Sequence, residues 1–129
     1  MGRDTASHAL GKTRRLLASS DFQNVFDNIA AKKHGKYFAV FCTVSSQPNS
    51  RLGLIVAKKH VPLAVRRNLL KRISRESFRH RFAQAIDSDK SLDIIVMVKG
   101  PSRSATNQQL RQELNRLWQT IGDRCKSPN

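Results

Sequence analysis

The sequence predicts a small α/β protein whose elements follow the order α, β, β, α, β, α. Its 129 residues suit one compact domain and are too few for two. Three runs rich in β-branched and aromatic residues alternate with three segments whose apolar residues recur at helical spacing. We therefore expect a single domain over residues 16–122, between a flexible basic N-terminal arm at 1–15 and a frayed C-terminus at 123–129.

The first helix is predicted over "SSDFQNVFDNIA". Its apolar residues fall at positions i, i+3, i+4 and i+7, which puts them on one face of a helix: Phe22, Val25, Phe26 and Ile29. Ser20 and Gln23 have the spacing of a capping box. The following "KKHGK" is interpreted as a break.

Two β-rich runs come next, at residues 37–44 and 51–57. They are joined by "SSQPNS", a linker of turn-forming residues, and this predicts a hairpin. A helix follows with Pro62 in its first turn, where proline is tolerated, and then a third strand at 92–98. These elements form a strand, helix, strand unit.

The last helix is predicted after "KGPSRSA". Thr106 and Gln109 form a second possible capping box. Downstream residues at helical spacing make one apolar stripe: Leu110, Leu114, Leu117, Trp118 and Ile121. This helix should therefore pack one face on the sheet.

The chain is strongly basic, with 24 Lys and Arg against 9 Asp and Glu, a net charge of +15. Such an excess attracts polyanions, so the partner should be acidic. No run of 18 apolar residues occurs, and "MGRDTASHALGKTRR" lacks the apolar core of a signal peptide. We expect a cytoplasmic protein without a membrane partner.

The charge is concentrated in the middle helix and the loop before it. Residues 51–82 hold ten Lys and Arg against Glu76 alone. Winding residues 64–81 at the helical period puts small and apolar side chains on one side: Leu69, Leu70, Ile73 and Ser77. The opposite side carries the polar residues within about 140°: Arg67, Asn68, Lys71, Arg72, Arg75 and Arg79.

Two features favour nucleic-acid binding over an ordinary solvated face. Arginine outnumbers lysine six to one between residues 66 and 81, and a planar guanidinium suits bidentate phosphate contacts. Asn68 lies among the arginines, and its amide can contact a base edge or a 2′-hydroxyl.

These residues also carry a family resemblance. The segment "RLGLIVAKKHVPLAVRRNLLKRISRESFR", residues 51–79, resembles the signature of the bacterial ribonuclease P protein component, in which an Arg-Asn-Arg motif runs into Lys-Arg, with Arg-Glu-Ser-Phe downstream. "LLASSDFQNVF" is similar to the family's first helix, and "DIIVMVKGPSRSATNQQLRQELNRLW" to its third strand and last helix. Leu69 stands where the family has its second motif arginine. Because position 69 falls on the apolar side, the basic face is kept, and Arg66 partly compensates.

The resemblance implies a small two-layer α-β sandwich with an unusual left-handed β-α-β crossover, the fold type of the second domain of a small-subunit ribosomal protein. It also implies a protein that assists a catalytic RNA in removing the 5′ leader of precursor tRNA. The catalytic groups and the magnesium ions are expected in the RNA, and the protein is expected to bind that RNA 1:1, with no obligate protein partner.

Site residues are carried over from the family one by one. The residues expected to contact the catalytic RNA match the basic motif, its flank and the preceding loop: Arg66, Arg67, Asn68, Lys71, Arg72, Arg75, Arg79, Lys58 and Lys59. Phe22, Phe26 and Phe41 match aromatic positions of the cleft that holds the leader, where rings stack on unpaired bases. On periodicity alone, Phe22 and Phe26 would be interpreted as core residues, and the resemblance favours partly exposed cleft residues.

The sequence also bears on two other classes of function, a metal-dependent nuclease and a structural RNA-binding protein. A metal-dependent nuclease needs converging carboxylates, but the nine acidic residues are scattered and the four histidines do not cluster, so no catalytic or metal-binding residue is expected in this chain. A structural RNA-binding protein, such as a ribosomal protein with no part in catalysis, stays open as the alternative.

Overall fold

The computed structural model describes residues 15–16, 18–45, 49–83 and 91–126. Within these ranges lie three α-helices, four strands, one π-helical turn and one 3-10 helix. In chain order they are α1 (Ser19–Asp27), β1 (Ala31–His34), β2 (Phe38–Ser45), β3 (Arg51–Ile55), α2 (Ala64–Phe78), the π turn (Arg79–Ala83), β4 (Ser91–Val98), the 3-10 helix (Gly100–Ser104) and α3 (Asn107–Lys126). The α/β class is confirmed, with one strand more than predicted.

The additional strand is β1, which the sequence analysis took for a break. It pairs antiparallel with β2, from Ala31 opposite Cys42 to His34 opposite Ala39. Three of its four residues are exposed, because β1 is an edge strand of the sheet. Lysines on an edge strand discourage pairing with other chains, and they also hide the strand from a hydrophobicity pattern.

The predicted hairpin of residues 37–44 and 51–57, which correspond to β2 and β3, is wrong. The sheet order is β1-β2-β4-β3, so β4 lies between β2 and β3, antiparallel to the first and parallel to the second. Ile94, Ile95 and Val96 of β4 are fully buried. A run of consecutive apolar residues is typical of a central strand covered on both faces, and local turn signals do not specify which strands pair.

Helices cover both faces of the sheet, so the two-layer sandwich gains a partial third layer. On one face α2 and α3 bury the main core, which includes Phe38, Phe78 and Trp118. On the other face α1 covers a smaller cluster in which Leu16, Val25 and Ile95 are buried. Because side chains alternate along a strand, neighbouring residues of β4 serve different clusters.

The predicted strand, helix, strand unit is confirmed as β3, α2 and β4, whose two strands are parallel neighbours. The handedness of this crossover stays a prediction from the resemblance. Arg15, the last residue of the predicted arm, forms a parallel bridge with Leu52, and α3 continues past residue 122 to Lys126. The arm's residues 1–14 and the terminal residues 127–129 lie outside the described part of the chain.

One predicted capping box is confirmed and the other is wrong. At α3, the Thr106 hydroxyl accepts from the Gln109 N–H at 3.1 Å and the Gln109 side chain accepts from the Thr106 N–H at 2.9 Å. At α1, Ser20 lies inside the helix, which begins at Ser19. The Asp21 carboxylate instead accepts from the Ala18 N–H at 3.4 Å.

Candidate nucleic-acid interface

The polar face of α2 points away from the core, as predicted. Its buried residues are Leu70, Ile73, Ser74 and Phe78. Asn68 and Arg72 are exposed, whereas Lys71, Arg75 and Arg79 are half-buried. We call the surface formed by Asn68, Lys71, Arg72, Arg75 and Arg79 the basic ridge.

Arg66 and Arg67 are the predicted RNA-binding residues that the structure ties most closely to the protein itself. One guanidinium nitrogen of Arg66 donates to the carbonyls of Ser102 and Ala105, each at 2.6 Å. Nη1 of Arg67 donates to the carbonyls of Val61 and Pro62 at 3.0 and 2.7 Å. These bonds fix the start of α2 to the 3-10 helix and to the preceding loop. RNA contact by either arginine stays a prediction, but any contact must use its remaining N–H groups.

Lys71, Arg72 and Arg75 form no ion pair with a carboxylate in the described part of the chain, where Arg51 and Arg111 make the ion pairs. Burial lowers the pKa of the Arg75 guanidinium, and the nearby positive charge of Arg15 lowers it further. Nε of Arg15 and Nε of Arg79 are buried without a hydrogen-bond partner among the described residues. A phosphate beside Arg75 would supply hydrogen-bond acceptors and a compensating charge.

The loop before α2 presents two more predicted cations. Lys58 and Lys59 are exposed in a turn in which the N–H groups of His60 and Val61 both donate to the Ala57 carbonyl at 3.1 Å. Val61 is fully buried and anchors the loop. The lysines are therefore held next to the start of the basic ridge.

Leu69 lies where the winding placed it. It is half-buried and packs against the main core cluster. An arginine at this position would not point along the basic ridge, so the family's second motif arginine is not needed to complete the surface seen here.

The three predicted leader-binding phenylalanines lie together on the α1 face of the sheet. Phe22, Phe26 and Phe41 are all half-buried and pack around the smaller cluster, so each ring contacts the core and also keeps part of its surface exposed. The rings of Phe26 and Phe41 have centroids 5.3 Å apart. A Cβ at Gly53 would lie 2.7 Å from Cζ of Phe22, so glycine lets this ring lie on β3.

The aromatic row extends onto a residue that the sequence analysis missed. The ring of His34 on β1 meets Phe41 edge-on, with centroids 5.8 Å apart. Since β1 was interpreted as a break, nothing in the sequence pattern placed His34 beside the cleft. We call the surface formed by Phe22, Phe26, Phe41 and His34 the aromatic cleft.

A mostly buried ion pair connects the two strands and the helix on this side of the sheet. Nε and Nη2 of Arg51 donate to the two carboxylate oxygens of Asp93 at 2.9 and 2.7 Å, and Nη2 lies 3.8 Å from the carboxylate of Asp21 in the first turn of α1. The hydrogen bonds to Asp93 raise the pKa of Arg51 against the opposing effect of burial. Arg51 therefore joins β3, β4 and α1, and it is not part of the basic ridge.

Within the described ranges, no group of three or more His, Cys, Asp and Glu side chains lies close enough to hold a metal ion. None of the helices described here is long and apolar enough to cross a membrane.

Comparison with known proteins decides the family. Residues 10–122 match the family described as Ribonuclease P. The chain belongs to the ribonuclease P protein family. Membership brings with it RNA binding and a part in the ribonucleoprotein that processes the 5′ ends of tRNA.

Individual relatives agree with this assignment. The ribonuclease P protein component of Acinetobacter baylyi is 41% identical over 112 residues, which cover 87% of this chain and 82% of the relative. That of Psychrobacter sp. is 38% identical over 110 residues, covering 85% and 82%.

Solved structures of the family share the fold. The ribonuclease P protein of Staphylococcus aureus has a TM-score of 0.71 at 28% identity and covers 83% of this chain and 94% of its own. That of Thermotoga maritima has a TM-score of 0.65 at 31% identity and covers 82% and 96%.

Proposed function

We propose that this ribonuclease P protein binds the catalytic RNA through the basic ridge and the 5′ leader of precursor tRNA in the aromatic cleft. In this proposal the RNA supplies the catalytic groups and the magnesium ions, and the protein supplies charge and shape. The cytoplasmic location and the 1:1 stoichiometry expected from the sequence stay predictions.

The observation that carries the proposal is the contrast between the ridge and three nearby arginines that bond to the protein itself. Arg51, Arg66 and Arg67 bond to groups of the protein, whereas Arg72 is exposed and has no carboxylate partner among the described residues. Cations held close together on a rigid helix repel one another. Bound phosphates reduce this repulsion when they replace the counterions. The ridge is thus built to receive a polyanion.

The aromatic cleft supports the second half of the proposal. Unpaired bases stack on aromatic faces with little regard to sequence, which suits a segment as variable as a leader. Phe22, Phe26 and Phe41 are partly exposed and lie on the opposite face of the sheet from α2 and α3. One small domain could therefore hold the catalytic RNA and the leader on different surfaces.

The proposal is tested by reconstitution. The purified chain is added to a bacterial ribonuclease P RNA at a magnesium concentration where the RNA alone is nearly inactive, and cleavage of precursor tRNA is measured. We expect cleavage to be restored with the mature 5′ end. RNA binding without restored cleavage would instead favour a purely structural RNA-binding protein.

Replacing Phe22 by Ala is expected to weaken binding of precursor tRNA to the reconstituted enzyme by roughly 1–3 kcal/mol, the range for one base stacked on an aromatic ring. Mature tRNA has no leader, so its affinity should not change. Fluorescence binding titrations with both tRNAs measure the difference.

The control is Ile29→Ala, because Ile29 is an exposed apolar residue just beyond α1. It should leave both affinities unchanged. If Phe22→Ala weakened both tRNAs equally, Phe22 would be a packing residue, and the leader would have to bind elsewhere.

A further inference from the structure

A second charged concavity lies between the β1–β2 turn and α3. Its volume is about 360 Å³. The cavity lies beside β1, and β1 and β3 are opposite edges of the sheet. Its walls consist of two groups, four residues of the turn region and four of α3: Lys33, His34, Gly35, Lys36, Glu113, Arg116, Leu117 and Thr120.

The turn that forms one wall is fixed by a buried carboxylate. Oε1 of Glu113 accepts from the N–H of Lys36, and Oε2 accepts from those of Tyr37 and Phe38, all at 2.8 Å. A Cβ on Gly35 would collide with the carboxylate of Glu113, so a larger residue there would displace the group that holds the turn. The turn is consequently a rigid scaffold and not a loose loop.

Three cations line the cavity beside this scaffold, and a fourth, Lys99, donates from its ammonium to the Gly35 carbonyl at 2.8 Å. Lys33 is paired in register with Val40, a residue of the main core, so its side chain points to the α3 face of the sheet. Arg116 follows Glu113 by three residues on the same side of α3. Lys36 completes the set, with its ammonium 5.5 Å from the centre of the Tyr37 ring.

Among the residues that line the cavity, Glu113 carries the one negative charge against these three cations, so the lining keeps a net positive charge. Both oxygens of Glu113 are directed to the backbone N–H groups of the turn, and no carboxylate in the described ranges pairs with Lys33, Lys36 or Arg116. The Thr120 hydroxyl donates to the Arg116 carbonyl at 3.1 Å, so it adds no free donor. Binding of an anion would therefore depend on the cations.

We propose that this cavity is a phosphate-binding site, formed by Lys33, Lys36 and Arg116 around the turn held by Glu113. A guanidinium can bind a phosphate with two parallel hydrogen bonds, and two ammonium groups can neutralise the remaining charge. The phosphate belongs either to an RNA backbone or to a small phosphate compound. The site goes beyond the proposed function, since its three cations belong neither to the basic ridge nor to the aromatic cleft; His34 lies between the cavity and the cleft and borders both.

The test uses the full-length protein and inorganic pyrophosphate, followed by nuclear magnetic resonance. We expect saturable shifts of the Gly35 and Lys36 amide signals. The double variant Lys33→Ala/Arg116→Ala should raise the dissociation constant measured at these amides at least fivefold. Neither side chain forms a hydrogen bond or ion pair with another described residue, so the fold should be kept.

Two controls separate the site from general attraction to a basic protein. Lys32→Ala removes the neighbouring cation of the same strand, whose side chain points to the other face because Lys32 is paired with Phe41. Arg72→Ala removes one charge from the basic ridge. Both should leave the dissociation constant at Gly35 and Lys36 within twofold of the original value. Absence of a saturable shift, or equal weakening by Lys32→Ala, would overturn the proposal.

The source of the phosphate is distinguished by RNA binding at several salt concentrations. If the site binds an RNA backbone, the double variant should have a log–log salt slope shallower by about one unit or more. If the pyrophosphate shifts are lost and the slope is unchanged, the natural ligand is a small phosphate compound. The resonance measurement needs no cleavage activity, so it stands or falls independently of the proposed function.

Discussion

Replacing Asp93 by Ala is expected to destabilise the protein by about 3 kcal/mol, because it leaves the buried end of Arg51 without its partner. Asp93 is almost completely buried and receives both hydrogen bonds of a bidentate pair. The side chain of Arg51 keeps 18% of its exposure, so it can turn partly to water, and this limits the loss. Denaturant unfolding followed by circular dichroism measures the change.

The matched control is Asp123→Ala, which removes the same charge from an exposed position on α3. It should change the free energy of unfolding by less than about 0.5 kcal/mol. A loss below 1 kcal/mol for Asp93→Ala would mean that the Arg51 pair does not hold β3, β4 and α1 together.

The double substitution Arg72→Ala/Arg75→Ala is expected to weaken binding to the catalytic RNA roughly 100-fold. Each lost hydrogen bond to a charged phosphate oxygen contributes about 1.5–3 kcal/mol, and the lower value for two contacts already gives this factor. The free energy of unfolding should not fall, since removing the partly buried charge of Arg75 ends its repulsion with Arg15. Filter binding at fixed salt, together with denaturant unfolding, measures both quantities.

Arg111→Ala provides the control for this experiment. Arg111 is exposed on α3, and its charge is already paired with Glu76 at 3.5 Å. Its removal should change RNA affinity by less than twofold. If the double substitution had no larger effect than Arg111→Ala, the basic ridge would not be the RNA-binding surface.

The positions of the acidic residues explain why the cations of the basic ridge are available to bind RNA. Asp93 and Asp21 balance Arg51, and Glu113 holds the turn before β2. These carboxylates are widely separated in the sequence. Their structural partners could not be inferred, because each contact joins elements far apart in the chain.

The helices and the basic ridge could be predicted because both depend on local spacing. The stripe ending in Trp118 and the winding that put Leu69 on the apolar side follow from a helical period of 3.6 residues. Strand pairing depends on contacts between distant segments. The sequence therefore predicted β2, β3 and β4 but paired β2 with the wrong strand, and the lysines of β1 concealed that strand altogether.

In the candidate site, too, features that depend on local spacing could be predicted and features that depend on distant contacts could not. The sequence identified the cations of α2 but could not show that Arg66 bonds to carbonyls 36 and 39 residues later. It identified Phe26 and Phe41, but it could not place His34 beside them, because that contact requires β1 to be a strand. Composition and helical period determine which side chains lie on the polar face of a helix. Tertiary contacts determine which of these side chains bond to the protein itself.

The most direct test of the account is the salt dependence of binding to ribonuclease P RNA, measured for the original protein, Arg72→Ala and Arg111→Ala. With five or six phosphates neutralised, the original protein should have a log–log slope of about −4 to −5. Arg72→Ala should be shallower by about one unit, and Arg111→Ala should match the original. Equal slopes for all three proteins would contradict the claim that the basic ridge binds RNA phosphates.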